Sequence, residues 1–320
     1  MSRTIALTGA TGFVGSALTR RLQTAGWQVR ALVRPSSSRA RLAGIPVQRV
    51  EGALEDLPSL CQLVGGADAV VHCAGLVRGA SQAHFHRVNV DGVARLAQAA
   101  AEQRPPPRFL LISSLAAREP GLSPYAASKH GGELALASAG GAMAWTVLRP
   151  PAVYGPGDRE LLPLFRWIRR GIAPVLGPDS ARFSLLYVED LAEAVAQWLE
   201  TGSREGRTFE LHDGHPDGHG WSEVIDTVAR LCGRRVLRVQ VPAPALRLLA
   251  ALNLMAVRLG GYAPMLTPGK VRELRHPNWV CDNRELRRAT GWTPLVSLEE
   301  GVRRTLDSIP RTVAPLRERL

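Results

Sequence analysis

The chain opens on an arrangement that few folds accommodate. Thr4-Ile5-Ala6-Leu7 reads as a short buried strand, Thr8-Gly9-Ala10-Thr11-Gly12-Phe13-Val14-Gly15 as a turn, and residues 16–25 as a helix. Glycines let the backbone turn tightly and approach a pyrophosphate, while the following helix N-terminus favours negative charge. Strand, glycine turn and helix in this order describe a dinucleotide site, here with the spacing Gly-x-x-Gly-x-x-Gly. Apolar strands and amphipathic helices keep alternating to about residue 150. Strands are expected at 29–33, 47–50, 69–72, 109–112 and 144–148, and a helix at 88–103. Such alternation predicts an α/β fold with a doubly wound parallel sheet.

At 320 residues the chain has room for one large domain and a lobe. The alternation lapses after residue 155. A dinucleotide-binding Rossmann domain is expected at 1–155 plus about 185–215, a smaller substrate-binding lobe at 156–184 plus about 216–308, and a flexible tail at 309–320.

Of forty Lys and Arg residues, only Lys129 and Lys270 are lysine. Lys129 falls four residues after Tyr125, a coincidence with odds of roughly 2–3% among four tyrosines. On a helix, positions i and i+4 share a face, so the ammonium can sit beside the phenol. A nearby fixed cation is expected to lower the tyrosine pKa from its ordinary ~10 toward the range of proton transfer at neutral pH.

Further blocks follow in order: His72-Cys73-Ala74-Gly75 at a strand end, a strand running into Ser113-Ser114, Leu148-Arg149-Pro150-Pro151-Ala152-Val153-Tyr154-Gly155-Pro156-Gly157, Leu186-Tyr187-Val188-Glu189-Asp190, and Thr290-Gly291-Trp292-Thr293-Pro294. With the glycine loop and the Tyr-Lys pair, this series resembles the short-chain dehydrogenase/reductases, in the extended, epimerase/dehydratase-like branch, over nearly the whole chain. The resemblance implies hydride transfer between a nicotinamide cofactor and a secondary alcohol or ketone. By family position Ser114 would bond the substrate oxygen, with Ser113 nearer the nicotinamide. Tyr125 would act as general acid in reduction and base in oxidation, and Lys129 would lower its pKa and hold the nicotinamide ribose. The implied cofactor contacts include Gly9, Thr11, Gly12, Phe13, Val14 and Gly15 in the loop. Cys73, Ala74 and Gly75 follow, and Pro150 and Val153 line the nicotinamide. Gly52-Ala53-Leu54 stand where the family usually has Gly-Asp-Leu or Gly-Asp-Val against the adenine, so that contact falls to backbone or to Glu55 and Asp56. A homodimer is common in the fold.

Residues 1–50 contain no Asp or Glu. A carboxylate about 20 residues past the glycines holds a ribose 2′-hydroxyl, whereas arginine accommodates a 2′-phosphate. Here the second strand ends in Arg34, with Ser36, Ser37, Ser38 and Arg39 after it. Guanidinium and small hydroxyls suit phosphate. NADP(H) is the preferred cofactor and NAD(H) the second choice.

The net charge of +12 is carried by arginine and favours anionic partners, whether a phosphorylated cofactor, an anionic membrane surface or nucleic acid. No nucleic-acid motif accompanies it, so no nucleic-acid partner is expected. Four scattered cysteines without a Cys-x-x-Cys argue against zinc or a disulfide framework and fit a reducing cytoplasm. No apolar stretch of signal type precedes the first strand. His212-Asp213-Gly214-His215, with His219 beyond, reads as a flexible turn with no neighbouring groups to orient a ligand set, and no metal is expected there. Asn89 is expected to bond backbone within its own helix.

Residues 244–259 are apolar almost throughout, yet too short and too interrupted by Arg247, Asn253 and Arg258 to span a bilayer. A buried helix of the small lobe is the first expectation. The second is a lid or interfacial helix beside a lipid-like substrate, with peripheral membrane contact. Relatives acting on sugar nucleotides often carry Arg-Asp where this chain has Phe183-Ser184, and a long loop where it has only residues 115–124 between Ser114 and Tyr125. These departures lean toward a hydrophobic small-molecule ketone, 3-oxo-lipid or sterol-like, over the alternative of a nucleotide-sugar epimerase/dehydratase with retained NAD. A non-catalytic NADP-binding regulator or structural subunit is disfavoured because Ser114, Tyr125 and Lys129 are all present.

Overall fold

The computed structural model describes residues 3–38, 40–79, 81–201, 206–260, 264 and 266–309, except for the side chains of 256–260. Arg39, the Arg258 side chain and residues 310–320 of the expected tail lie outside the described residues. The first half runs β1 (Thr4–Thr8), α1 (Phe13–Thr24), β2 (Gln28–Val33), β3 (Gln48–Glu51), α2 (Leu57–Val64), β4 (Ala69–His72), α3 (Gln82–His86), α4 (Gly92–Ala101), β5 (Arg108–Ile112), α5 (Pro124–Ala139) and β6 (Trp145–Arg149). The second runs β7 (Ala152–Tyr154), α6 (Leu162–Arg169), β8 (Ile172–Val175), β9 (Arg182–Phe183), β10 (Leu185–Tyr187), α7 (Val188–Thr201) and β11 (Arg207–Glu210). It ends with α8 (Trp221–Leu231), β12 (Leu237–Gln240), α9 (Ala243–Gly260), α10 (Pro268–Leu274), β13 (Asn278–Trp279), α11 (Arg284–Thr290) and α12 (Leu298–Asp307).

Seven strands form one sheet in the order β11-β6-β5-β4-β1-β2-β3, every pairing parallel. Strand side chains alternate between faces, and here both faces are covered. Ile5, Leu7, Val29, Ala31, Ala69 and Val71 enter one core together with α1 and α7, whereas Ala6, Leu32, Val70, Phe109 and Leu111 enter the other with α2 and α4. That alternation explains why these strands read as continuous apolar runs. β1 pairs with both β2 and β4, so the strand order reverses there and opens a crevice at the carboxyl ends.

A third core, with Tyr154, Phe165, Ile168, Tyr187, Trp221 and Val302, lies in the second half. Leu286 of α11 and Trp292 pack instead into the first core beside β1 and α7. β11 returns to the main sheet as its edge, but Leu185–Tyr187 does not: it pairs with β7 in a two-stranded sheet. The first helix starts at Phe13, capped by Gly12, rather than at residue 16. The helix expected at 88–103 is present to Ala101, but its start is a π-helical turn over Arg87–Asp91 that joins α3 to α4 without a break. Only one face of α9 is buried, so the expected buried helix holds for Leu246 and Ala250 and fails for Leu248 and Leu252.

Candidate active site

The loop from β1 to α1 touches the loop after β4. Gly9 has φ +75°, and a Cβ on it would lie 2.6 Å from the Ala74 nitrogen; one on Gly15 would lie 2.0 Å from the Gly9 oxygen. Neither space admits a side chain. Gly12 donates to the Gly9 carbonyl at 2.9 Å and leads directly into α1, whose first amides have no partner within the helix. Small residues, a tight turn and a free helix N-terminus fit a dinucleotide pyrophosphate.

α5 starts beside this loop because Ser123 accepts the Ala126 amide at 3.0 Å and Pro124 fills the first turn. Tyr125 and Lys129 follow one turn apart. Lys129 Nζ donates to the Ile112 carbonyl at 2.8 Å, at the end of β5, and lies 3.8 Å from where a Gly75 Cβ would be. Ser114, half-buried, accepts the Ala116 amide at 3.2 Å and shares a hydrogen bond with Tyr125. Ser114, Tyr125 and Lys129 thus meet at the carboxyl ends of β4 and β5.

The electrostatics differ from the expectation. Burial pushes the Tyr125 phenol up to about 12; the Ser114 hydrogen bond opposes this, and Glu273 and Glu160 add to it. Burial lowers Lys129 to about 8 against the pull of Cys73 and Glu133. The cation expected to depress the tyrosine is itself desolvated and turned to a carbonyl, so in the free chain the phenol is held neutral. The Cys73 thiol is neutral as well, raised to about 12 by burial.

Several expected residues are placed differently from one another. Ser113 donates to Glu133 at 2.5 Å and is buried, while Glu133 also takes a bidentate Arg149. Leu54 packs its side chain against Gly92 in the core, so a cofactor would meet only its backbone. Ala53 accepts the Asp56 amide through its carbonyl, and a Gly52 Cβ would strike Ser59. Pro150 is buried and accepts the Leu115 amide at 2.8 Å; Val153 packs against the first core. Arg34 stands exposed where β2 ends, its carbonyl accepting the Ser37 amide. Asn89 bonds outside its helix: both amide atoms clamp the Leu76 backbone, and Nδ2 also reaches Ser128 at 2.9 Å. The π-helical turn aims it across to the loop after β4 and to α5.

Other participants were not foreseen. Glu133 continues the Tyr125/Lys129 stripe by one more i+4 step, a spacing that could have marked it. Ser123 donates to the buried Glu273, which also holds Lys270 at 2.9 Å. No local signal links residues 150 apart. A cavity of about 210 Å³ opens at Tyr125, with Val77, Phe85 and Leu254 on its apolar side and Lys270 and Glu273 on its polar side. Above the crevice, Arg41 donates to the Gly157 carbonyl at 2.7 Å and Arg78 to Glu160 at 2.6 Å.

His72 is fully buried against Thr8 at 2.7 Å, and burial lowers it to about 3. As pH falls through 6.5 the unfolded chain takes up a proton here and the folded chain does not, so stability falls toward acid. His72→Gln is expected to flatten this limb, read as urea-unfolding midpoint against pH; an unchanged slope would remove His72 as its cause.

The histidine turn is more structured than expected. His219 is buried between Asp213 at 2.7 Å and Glu223 at 2.8 Å, and these carboxylates hold its pKa up against burial. Ligand atoms of His215, His219 and Glu223 lie within 4.8 Å of one another. With both ring nitrogens of His219 facing carboxylates, the cluster works as a buried ion pair that ties the loop to α8.

Residues 5–211 match the model of the NAD dependent epimerase/dehydratase family. The chain belongs to this family. As a member it is an NAD(P)-dependent dehydrogenase/reductase of the extended short-chain type. It is 36% identical over 304 residues to a ceramide reductase of Caulobacter vibrioides, covering 95% of this chain and 93% of that one. It is 30% identical over 328 residues to a 2-alkyl-3-oxoalkanoate reductase of Stenotrophomonas maltophilia, covering 94% and 97%. Among solved structures, the UDP-glucose 4-epimerase of Thermotoga maritima superposes with a TM-score of 0.75 over 95% of this chain and 98% of that one. At 20% identity this last likeness speaks for the shared fold alone.

Proposed function

We propose that this family member is an NADP(H)-dependent reductase of a hydrophobic ketone, of the 3-oxo-lipid kind. The observation that carries the reading is the cavity at Tyr125, where a neutral phenol faces a wall of Val77, Phe85 and Leu254. The cofactor supplies hydride at its nicotinamide when bound. Ser114 and Tyr125 then hold the ketone oxygen, Tyr125 gives it a proton, and Lys129 orients the ribose and supports the phenol. The names of two relatives aligned over more than 90% of their length, a ceramide reductase and a 2-alkyl-3-oxoalkanoate reductase, support the substrate class. Location in the cytoplasm and pairing as a homodimer belong to the same reading.

Two features favour the phosphorylated cofactor. Arg34 is exposed at the end of β2, and residues 1–50 bring no carboxylate to compete. Arg41, over the Phe13 ring at 6.0 Å, is lowered by burial and then by Arg159 and Arg20, a local excess of positive charge beside the glycine loop. Titration calorimetry tests this. Arg34→Ala should weaken NADPH binding roughly 10- to 100-fold, the scale of a lost charge-assisted bond, and leave NADH unchanged. Equal losses for both cofactors, or a wild type that prefers NADH, would refute the assignment.

A further inference from the structure

α9 has two apolar faces, and the fold uses one. Leu246 and Ala250 are buried with Val271 against Leu176, Val241 and Leu266, and Leu254 lines the cavity at Tyr125. On the other side Leu248 (61% exposed), Leu252 (52%) and Met255 (63%) form an i, i+4, i+7 row, with Leu249 (51%) beside it. Eight of the twelve exposed large hydrophobics among the described residues fall between Trp167 and Met255. Three of the other four, Ile172, Leu237 and Val239, lie on the neighbouring small sheet, and Trp167 lies on α6. β12 pairs with β8 so that Leu237 sits by Ile172 and Val239 by Pro174, and all but Pro174 are exposed. Arg238 and Gln240 turn the other way, to Asp226 and the Gly177 carbonyl. Val241, which leads from β12 into α9, packs beneath Leu246, so sheet and helix are continuous.

Cations predominate in the sequence around these residues, although Arg230, Arg238 and Lys270 have carboxylate partners in Glu299, Asp226 and Glu273. Residues 227–272 contain eight Arg or Lys and no Asp or Glu, and residues 161–178 contain Arg166, Arg169 and Arg170 and likewise no acid. Arg247 is exposed on α9, and Arg170 lies 5.8 Å from the ring of Trp167, itself 47% exposed. Exposed leucines beside an exposed arginine on α9, with an exposed tryptophan and arginine at the end of α6, fit the headgroup boundary of an anionic bilayer. A second copy of this chain would bring like charges together. No helix among the described residues is long and apolar enough to cross a membrane.

We propose that this face seats the enzyme on an anionic lipid surface, with α9 lying in the interface and the Tyr125 cavity beside it. The idea deepens the lipid-ketone reading by saying how such a substrate would be reached, yet its test needs no substrate. Co-sedimentation of the full chain would be measured with vesicles of phosphatidylcholine, with and without phosphatidylglycerol. Wild type should pellet with the phosphatidylglycerol vesicles. Leu248→Asp/Leu252→Asp should bind them at least about tenfold more weakly while reducing a water-soluble short ketone as wild type does. Wild type remaining in the supernatant, or a variant that binds equally, overturns the proposal. So does a dimer that the variant dissolves without any vesicle binding, which would give the face to a second copy. Vesicle binding that persists while long-chain ketones go unreduced supports the docking face and refutes only the substrate reading.

Discussion

Tyr125→Phe is expected to lower kcat for ketone reduction by about 10²- to 10⁴-fold, the usual weight of a positioned general acid. NADPH affinity and the unfolding midpoint should stay near wild type, because the ring keeps its edge contact with Phe85 at 6.1 Å and only the hydroxyl is lost. The direction of the pKa shift matters here. A phenol at about 12 is fully protonated at neutral pH, which is the form that reduction consumes. Lys129, at about 8, is charged below that value and loses its charge above it. Since kcat/KM reports groups of the free enzyme, it should decline as pH rises through about 8. Stopped-flow reduction across pH gives both readouts. A variant with wild-type kcat would remove Tyr125 from the chemistry.

Arg149→Ala is expected to cost about 3–5 kcal/mol of stability. Arg149 donates to the two Glu133 carboxylate oxygens at 3.0 and 2.5 Å, with the Glu133 and Arg149 side chains 9% and 19% exposed, and Ser113 donates a further bond to the same carboxylate. Removing the guanidinium leaves a carboxylate with almost no access to water. Desolvation without a partner then dominates, unlike at an exposed pair such as Arg230–Glu299, where water screens the charges and solvates whichever one is left. The double change Glu133→Gln/Arg149→Met should recover most of the loss, since no buried charge remains. Urea denaturation of the three variants and wild type closes the cycle. A single variant as stable as wild type would mean that water reaches Glu133.

Much of this architecture is legible along the chain. The strand at 69–72 was expected with its observed bounds, and the parallel sheet follows from alternation that both cores then require. The π-helical turn at Arg87–Asp91 was not legible, because its residues have ordinary helical character and only the packing of Asn89 onto Leu76 distinguishes them. The same holds for Leu185–Tyr187, where an apolar run satisfies a two-stranded pairing as well as a place in the main sheet.

The sequence by itself determined the strand–glycine–helix opening, the family, and the i, i+4 setting of Tyr125 and Lys129. These are short-range patterns, governed by backbone sterics and helix periodicity. Tertiary structure alone decided that Ser113 turns to Glu133 while Ser114 turns to Tyr125, that burial raises the phenol while Lys129 turns to the Ile112 carbonyl, and that His219 is an ion-paired core residue. It also decided that α9 buries Leu246 and leaves Leu248 bare. Each of these depends on desolvation and on partners brought from distant segments, as Glu273 is brought to Ser123 across 150 residues. Local spacing carries no record of either.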